Sequence, residues 1–326
     1  MKQYLDTVEF VIANGVRQSN RTGIDTIAFP GASMRFDLRD GFPAVTTKKL
    51  AFKSVIGEGI GFLRGVESAK DFRDLGCQVW NQNANENQQW LDNPYRKGED
   101  DLGPVYGSQW RRWKGTKKIS RFDKKASRAA MDSGWEMAGA DIAAEDDHHY
   151  FFYEKEIDQL QMCLDKLRNN PTDRRILFHG WNPAVLDQVA LPACHLLYQF
   201  LPNVAQRELS MTCYIRSNDL FLGAPFNIAE AAWLLSLFAR LSGFTPRYLQ
   251  IFIGDAHVYV NHLDAFKLQR SREVYASPKL QISDEVPTHT HPAAESIDEV
   301  ANLIRPEHFT LVDYLHHDPI KADMAV

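Results

Sequence analysis

The run Asn227–Leu241, NIAEAAWLLSLFARL, is apolar almost all the way round a helical projection. A helix of that kind has to be enclosed on every side, so the fold must wrap a large core around it. With 326 residues, 44% of them hydrophobic and 24% charged, the chain can build such a core. Gly243, two residues past Leu241, is expected to cap the helix. The wrapping material is strand-like. RRILFHGWN, HLLYQFLPNV and ELSMTCYIRS are apolar or alternating runs rich in Tyr, Phe and Ile, and they are expected to pair in one sheet. LQIFIGDAHVYVNH reads as a further strand leading into a helix.

The N-terminal part is mixed. Tyr4, Leu5, Val8, Val11 and Ile12 fall on one face of a helix from Gln3 to Asn14, closed by Gly15. Thr26 to Leu38 alternates between Gly-containing turns and reads as a strand pair. Lys53 to Gly65 has helical spacing with Glu58 in its middle, although Gly57, Gly59 and Gly61 weaken it as a helix. From Lys114 to His149 the composition shifts to Lys, Asp, Gly and Ala, which reads as an insertion and as a solvated loop. A second helix is expected over Tyr153–Asn169, stopped by Pro171, and the C-terminal part as short strands and loops.

A formal net charge of -5 gives no global attraction to nucleic acid or anionic membranes. The basic half of the insertion, Lys114 to Arg128, is the one candidate patch, and the acidic half from Asp141 to Asp147 offsets it. Four scattered cysteines form neither a disulfide framework nor a CxxC pair, no metal site is expected, and a cytoplasmic location is implied. No stretch reads as a signal peptide or a membrane span.

Chemistry concentrates around Cys194, in LPACH. A cysteine in apolar surroundings is more often inert core than nucleophile. Here Arg174, Arg175, Arg216, Ser217, Asn218, Asp219, Asn227, His257 and Tyr259 flank it in sequence. A reactive thiolate needs a positive neighbour, and a phosphate needs several Arg and hydroxyl donors together. His195 next to it does not make a Cys–His pair, because adjacent strand residues point to opposite faces. Glu58 lies on an otherwise apolar segment, where an idle carboxylate would be costly.

RRILFHGWNPAVL, ALPACHLLYQF, RSNDLFLGAPFNIA and GDAHVYVNH, in that order and spacing, closely resemble the thymidylate synthases and their sister enzymes, the deoxypyrimidine monophosphate hydroxymethylases. NRTG at Asn20–Gly23, DGFPAVTTKK at Asp40–Lys49, DLGPVYGSQW at Asp101–Trp110 and the ending IKADMAV extend the resemblance. It implies an α/β (α+β) fold with a large, bent, mixed sheet flanked by helices. One sheet face would form a homodimer interface, and residues 1–326 would be a single domain carrying the insertion at about 114–149. It also implies that Cys194 attacks carbon 6 of a pyrimidine nucleotide, making carbon 5 nucleophilic toward the one-carbon unit of the co-substrate 5,10-methylenetetrahydrofolate. Glu58, Arg216, Asn227 and Tyr106 would complete the catalytic set. Arg21, Arg174, Arg175, Ser217, Asp219, His257 and Tyr259 would bind the nucleotide, the Arg174–Arg175 pair reaching in from the other subunit. Lys48, Trp80, Asn83, Leu191, Asp219, Phe226 and Val326 match folate-side positions.

An amide at Asn227 presents a donor and an acceptor and so suits uracil, whereas relatives acting on cytosine carry Asp there. The expected nucleotide is dUMP. The segment around Glu58 reads GEGIGFL where HELLWFL is usual; Ala51 replaces a histidine, Asn83 a tryptophan, and Glu230-Ala231 a Ser-Tyr pair. If these changes remove bulk, the folate face is wetter, and water addition to an exocyclic methylene would give 5-hydroxymethyl-dUMP. That is the expectation, with thymidylate synthesis by hydride transfer as the alternative. A catalytically retired binding protein is disfavoured because Cys194, Glu58, Arg216, Asn227, His257 and Tyr259 are all present.

Overall fold

A computed structural model describes residues 1–142 and 149–323. The chain begins with α1 (Lys2–Asn14), β1 (Val16–Gln18), β2 (Thr26–Asp37), α2 (Phe52–Arg64), α3 (Ala69–Asp74), α4 (Asn81–Asn85), α5 (Gln88–Leu91) and α6 (Tyr106–Arg111). It continues through β3 (Trp113–Ser120), α7 (Lys124–Asp132), β4 (Glu136–Ile142), β5 (His149–Ile157), α8 (Gln159–Asn169), β6 (Leu177–His179), β7 (His195–Asn203) and β8 (Glu208–Asp219). After these come α9 (Gly223–Ser242), β9 (Thr245–Tyr259), α10 (Leu263–Arg270), β10 (Lys279–Ile282), α11 (Ile297–Leu303) and β11 (Phe309–Val312).

Helix α9 is the enclosed helix the sequence demands, and Gly243 ends it in the left-handed conformation at φ 74°. It packs on a six-stranded sheet of order β1-β2-β9-β8-β7-β6, in which β8 and β9 are parallel and the other neighbours antiparallel. The period-2 pattern of the strands decides the faces. Leu209, Met211, Cys213 and Ile215 of β8 and Leu249, Ile251 and Ile253 of β9 are buried. Tyr214 and Phe252, neighbours in register, point the other way and are 40% and 44% exposed. Leu177, Leu201 and Tyr248 are likewise exposed, so a band of large apolar side chains runs across the sheet's outer face.

Three sequence expectations are corrected here, one of them the helix expected over Tyr153–Asn169, which is strand β5 up to Ile157 and helix α8 only from Gln159. Thr26–Asp37 is one long strand rather than a strand pair, because Pro30 and Gly31 interrupt the ladder without reversing it: Pro30 pairs with Asp255 and Ala32 with Ile253. The segment from Lys114 to His149 is not a solvated loop. Its described residues form an antiparallel sheet of order β3-β5-β4 together with α7. Aromatic groups supply what the low hydrophobicity hides: Tyr153 is buried, and Lys117 and Lys118 lie 4.2 and 4.1 Å from the ring centres of Trp135 and Tyr150. Residues 143–148, most of the acidic half, lie outside the described residues.

Helix α2 forms despite its glycines, and the packing explains them. A β-carbon at Gly57 would overlap the carbonyl of Leu75, at Gly59 the ring of Trp233 and at Gly61 the ring of Phe72. The helix is pressed against α3 and α9 so closely that only hydrogen fits, which offsets the propensity cost of about 1 kcal/mol per glycine.

Candidate active site

Sheet register builds the site. Because β7 runs antiparallel to β8 with His195 opposite Ile215, the residues just before β7 meet the end of β8. Arg216 N–H donates to the Cys194 carbonyl at 2.9 Å, and the guanidinium reaches 3.6 Å from Cys194 Sγ. Its orientation is locked by donation to the carbonyls of Ala193 and Pro192 at 2.8 and 2.9 Å. The half-buried thiol therefore has beside it the fixed positive charge that a thiolate requires. Its backbone N–H donates to Tyr106 Oη at 2.7 Å. Burial pushes the Tyr106 phenol well above its ordinary value, so it stays protonated and able to donate.

The parallel pairing of β8 with β9 brings their C-terminal ends to the same place, with Ser217 beside Asp255 and Asp219 beside His257. Asp255 Oδ2 accepts from Ser217 Oγ at 3.1 Å and lies 3.2 Å from His257 Nδ1. Asp219 Oδ1 accepts from the N–H groups of Phe221 and Leu222, shaping the turn into α9. The first turns of α9 then present Phe226 and Asn227, whose Nδ2 donates to Asn218 Oδ1 at 3.1 Å. Across the cavity α2 contributes Glu58. Its Oε1 accepts from Trp80 Nε1 at 2.7 Å, and burial pushes the carboxyl up to about 8 against the opposing effect of that bond.

Together these groups surround a cavity of about 950 Å³. Its lining includes Arg21, Glu58, Trp80, Asn83, Tyr106, Leu191, Cys194, Arg216, Ser217, Asp219, Phe226, Asn227, His257 and Tyr259. That volume suits a nucleotide with a second ring system beside it. Cationic and hydroxyl donors from Arg21, Arg216 and Ser217 lie with the thiol, and an apolar wall of Trp80, Leu191 and Phe226 completes the cavity. The wall and the carboxylate of Asp219 fit a flat, partly apolar heterocycle of the pterin kind.

Three expected site residues are placed elsewhere, and a fourth is not described. Lys48 does not line the cavity: it is buried beneath it, with Nζ donating to the Phe221 carbonyl at 2.6 Å and 3.8 Å from that ring's centre. Arg174 and Arg175 are on the surface at the start of β6; Arg175 pairs with Asp173 at 2.9 Å. Val326 lies outside the described residues. His195 is buried at the cavity wall, its Nδ1 2.9 Å from Tyr198 Oη.

Three contributors went unread in the sequence. Asp255 orients His257 and Ser217, and its place inside GDAHVYVNH was the available signal. Trp181 stands 5.7 Å from Arg216 Cζ, within reach of a cation–π contact. Glu230, noted only as a departure, is buried at 3% exposure. The wetter folate face is also corrected. Trp233 and Phe72 occupy the space vacated at Gly59 and Gly61, Trp80 is 4% exposed, and Phe62 packs against Phe72, Trp80 and Tyr106. At the α2 glycines bulk has been exchanged between elements, not removed, whereas Asn83 lines the cavity.

The family model described as thymidylate synthase matches residues 2–326. The chain is 57% identical to a thymidylate synthase of Pseudomonas putida and 55% identical to one of Pseudomonas syringae, over the whole of both chains in each case. It is 36% identical to the human thymidylate synthase, across 99% of this chain and 90% of the human one.

Proposed function

The chain belongs to the thymidylate synthase family, and from that premise we propose that it converts dUMP to thymidylate with 5,10-methylenetetrahydrofolate as one-carbon and hydride donor. What carries this reading over hydroxymethylation is identity of 57% and 55%, over the whole chain, to proteins named thymidylate synthase.

Cys194 Sγ, held beside Arg216, bonds to carbon 6 of the uracil, and the electron pair of the 5,6 double bond makes carbon 5 nucleophilic. Asn227 accepts from ring N3–H and donates to O4, while Arg21, Arg216 and Ser217 take the phosphate and His257 and Tyr259 the sugar hydroxyl. Glu58, whose proton is held near neutrality, shuttles protons at the base. The co-substrate supplies the carbon and the hydride; Trp80, Asn83, Leu191, Phe226 and Asp219 would hold it, and Val326, outside the described residues, matches a further folate-side position. Loss of the carbon 5 proton would release tetrahydrofolate from the transferred carbon and leave an exocyclic methylene; hydride from tetrahydrofolate would then reduce that carbon as the S–C6 bond breaks, giving thymidylate, dihydrofolate and the free thiol.

Incubation with dUMP and methylenetetrahydrofolate is expected to raise near-ultraviolet absorbance in step with thymidylate formed, because hydride transfer leaves dihydrofolate. Turnover with no such rise, and a nucleotide heavier by a hydroxymethyl group, would instead establish the hydroxymethylase.

We further read residues 1–326 as one domain, with 114–149 an insertion, acting as a cytoplasmic homodimer. Among the described residues no helix is long and apolar enough to cross a membrane. The band around Tyr214, Tyr248 and Phe252 favours pairing through the outer sheet face, and the outlying positions of Arg174 and Arg175 suit donation to a partner's phosphate site. Mixing Cys194→Ala with Arg175→Ala chains, each nearly inactive alone, is expected to restore activity at one site per mixed dimer. No recovery on mixing would separate the arginines from the site.

A further inference from the structure

Resting on that reading, we propose that His262 is a positioning residue which ties the C-terminal segment to the Asp219 end of the cavity, so that binding of the folate co-substrate, and not of the nucleotide, depends on it. His262 ends the short helical turn Val260–His262 that follows β9, and it is fully buried. Its two ring nitrogens face different partners. Nε2 lies 2.8 Å from the carbonyl oxygen of Asp323, and Nδ1, which makes no hydrogen bond, lies 4.0 Å from Asp219 Oδ1. A carbonyl oxygen only accepts, so Nε2 carries a proton and donates it to the terminal segment. A single imidazole therefore separates that segment from a carboxylate that lines the cavity.

The segment is held at several points before it reaches His262. Tyr314 Oη donates to the Val45 carbonyl at 2.6 Å and accepts from the Leu50 N–H at 3.0 Å. His317 N–H donates to the Thr46 carbonyl at 2.9 Å, and its ring stacks on Tyr275 with centres 4.7 Å apart. Arg272 Nη1 donates to the carbonyls of Thr47 and Asp318 at 2.8 and 2.7 Å. Beyond Asp318 the ties stop. Residues 319–322 make no hydrogen bond to any other described residue, although Ile320 and Ala322 pack against the core. Among the described residues, His262 thus supplies the last hydrogen bond that fixes the path of the chain's end.

The other side of the ring meets the folate-side wall. Asp219 Oδ1 accepts from the N–H groups of Phe221 and Leu222 at 2.9 and 3.3 Å, which shapes the turn leading to Phe226. The His262 ring packs against Phe221 with centres 5.3 Å apart and against Tyr259 at 5.6 Å. One side chain therefore sets the distance between the terminal segment and the turn that carries Asp219. The nucleotide's own ligands Arg21, Arg216, Ser217, Asn227 and His257 make no hydrogen bond to His262 or to residues 319–323. Loss of the tie leaves them in place. A hydrogen bond of this kind is worth a factor of about three to ten in the population of the tied state.

The test compares His262→Phe, which keeps a ring against Phe221 and Tyr259 but has no donor, with His262→Gln, whose amide can still donate to the Asp323 carbonyl. Calorimetric affinity for dUMP, kcat, KM for methylenetetrahydrofolate at saturating dUMP, and the rate at which carboxypeptidase releases terminal residues from the dUMP complex are measured on full-length chains. His262→Phe is expected to raise that KM at least about fivefold and the release rate by a similar factor, with kcat and dUMP affinity within about twofold of the unmodified enzyme. His262→Gln is expected to stay within about twofold in every quantity. Unchanged KM and release in His262→Phe overturn the proposal, and so do equal losses of dUMP and folate binding, which a general packing defect would give. If the phenylalanine chain does not fold, His262→Asn, too short to reach the carbonyl, is held to the same outcomes. An unmodified enzyme that makes no thymidylate would refute the function proposed above instead, and the release of terminal residues would still judge His262.

Discussion

Replacing Cys194 with serine is expected to lower turnover of dUMP by about 10³-fold or more while leaving the fold and nucleotide affinity nearly intact. The sulfur is half-buried and its neighbours are held by main-chain bonds, with Arg216 fixed by the carbonyls of Pro192 and Ala193 and Tyr106 by the N–H of residue 194. None of these bonds uses the thiol, so a hydroxyl fits without disturbing them. What disappears is the nucleophile: an alcohol beside a guanidinium remains an alcohol at neutral pH, and among the described residues no base is hydrogen-bonded to this side chain, His195 Nδ1 being paired with Tyr198 Oη. Release of tritium from carbon 5 of labelled dUMP measures the step directly. Serine chains that release tritium near the unmodified rate would refute covalent attack by Cys194.

Glu58→Gln is expected to act in opposite directions on activity and stability. Turnover should drop by about 10²- to 10³-fold, because an amide accepts the Trp80 N–H as well as a carboxylate does but moves no proton. Stability should rise. The folded chain holds the Glu58 proton up to about 8, above the ordinary 4.5, so the folded state binds more protons than the unfolded one between those values. Glu58 therefore costs no stability below its ordinary value, destabilises progressively as pH rises through the window, and costs most above it. Glutamine removes that slope, with a gain on the order of 1–2 kcal/mol at alkaline pH. Thermal melts of both proteins from pH 4 to 9 would display it. Curves that stay parallel across the window would mean that Glu58 is not held protonated by burial.

Glu58 and Glu230 also illustrate the limits of reading a chain residue by residue. The sequence marks Glu58 as a carboxylate in an apolar segment, and that is where it is found. It presents Glu230 in much the same way, as a single acid in an apolar helix, yet their mutual influence depends on α2 crossing α9, a contact between segments some 170 residues apart in sequence. The glycines of α2 mislead for the same reason. Viewed locally they remove bulk, but the bulk that replaces it arrives from Trp233 and Phe72. The segment from Lys114 to His149 reads as solvated because its aromatic residues are sparse, and only the antiparallel register of β3 and β5 shows how few are needed to hold it.

By itself the sequence determined the central helix, from its apolar circumference, and the family, from long motifs in register around Cys194. It also determined the chemical types available to the site: a thiol, a guanidinium, an amide and a carboxyl. These are local or ordinal properties, written in residue order. The tertiary structure alone decided which of them meet. Strand register sets Arg216 against Cys194 and Asp255 against Ser217, helix crossing brings two carboxyls into one enclosure, and the packing of Trp233 and Phe72 keeps that enclosure filled. Proton affinity and water exclusion follow from burial and from distance between segments remote in sequence, and neither quantity exists until the chain has closed on itself.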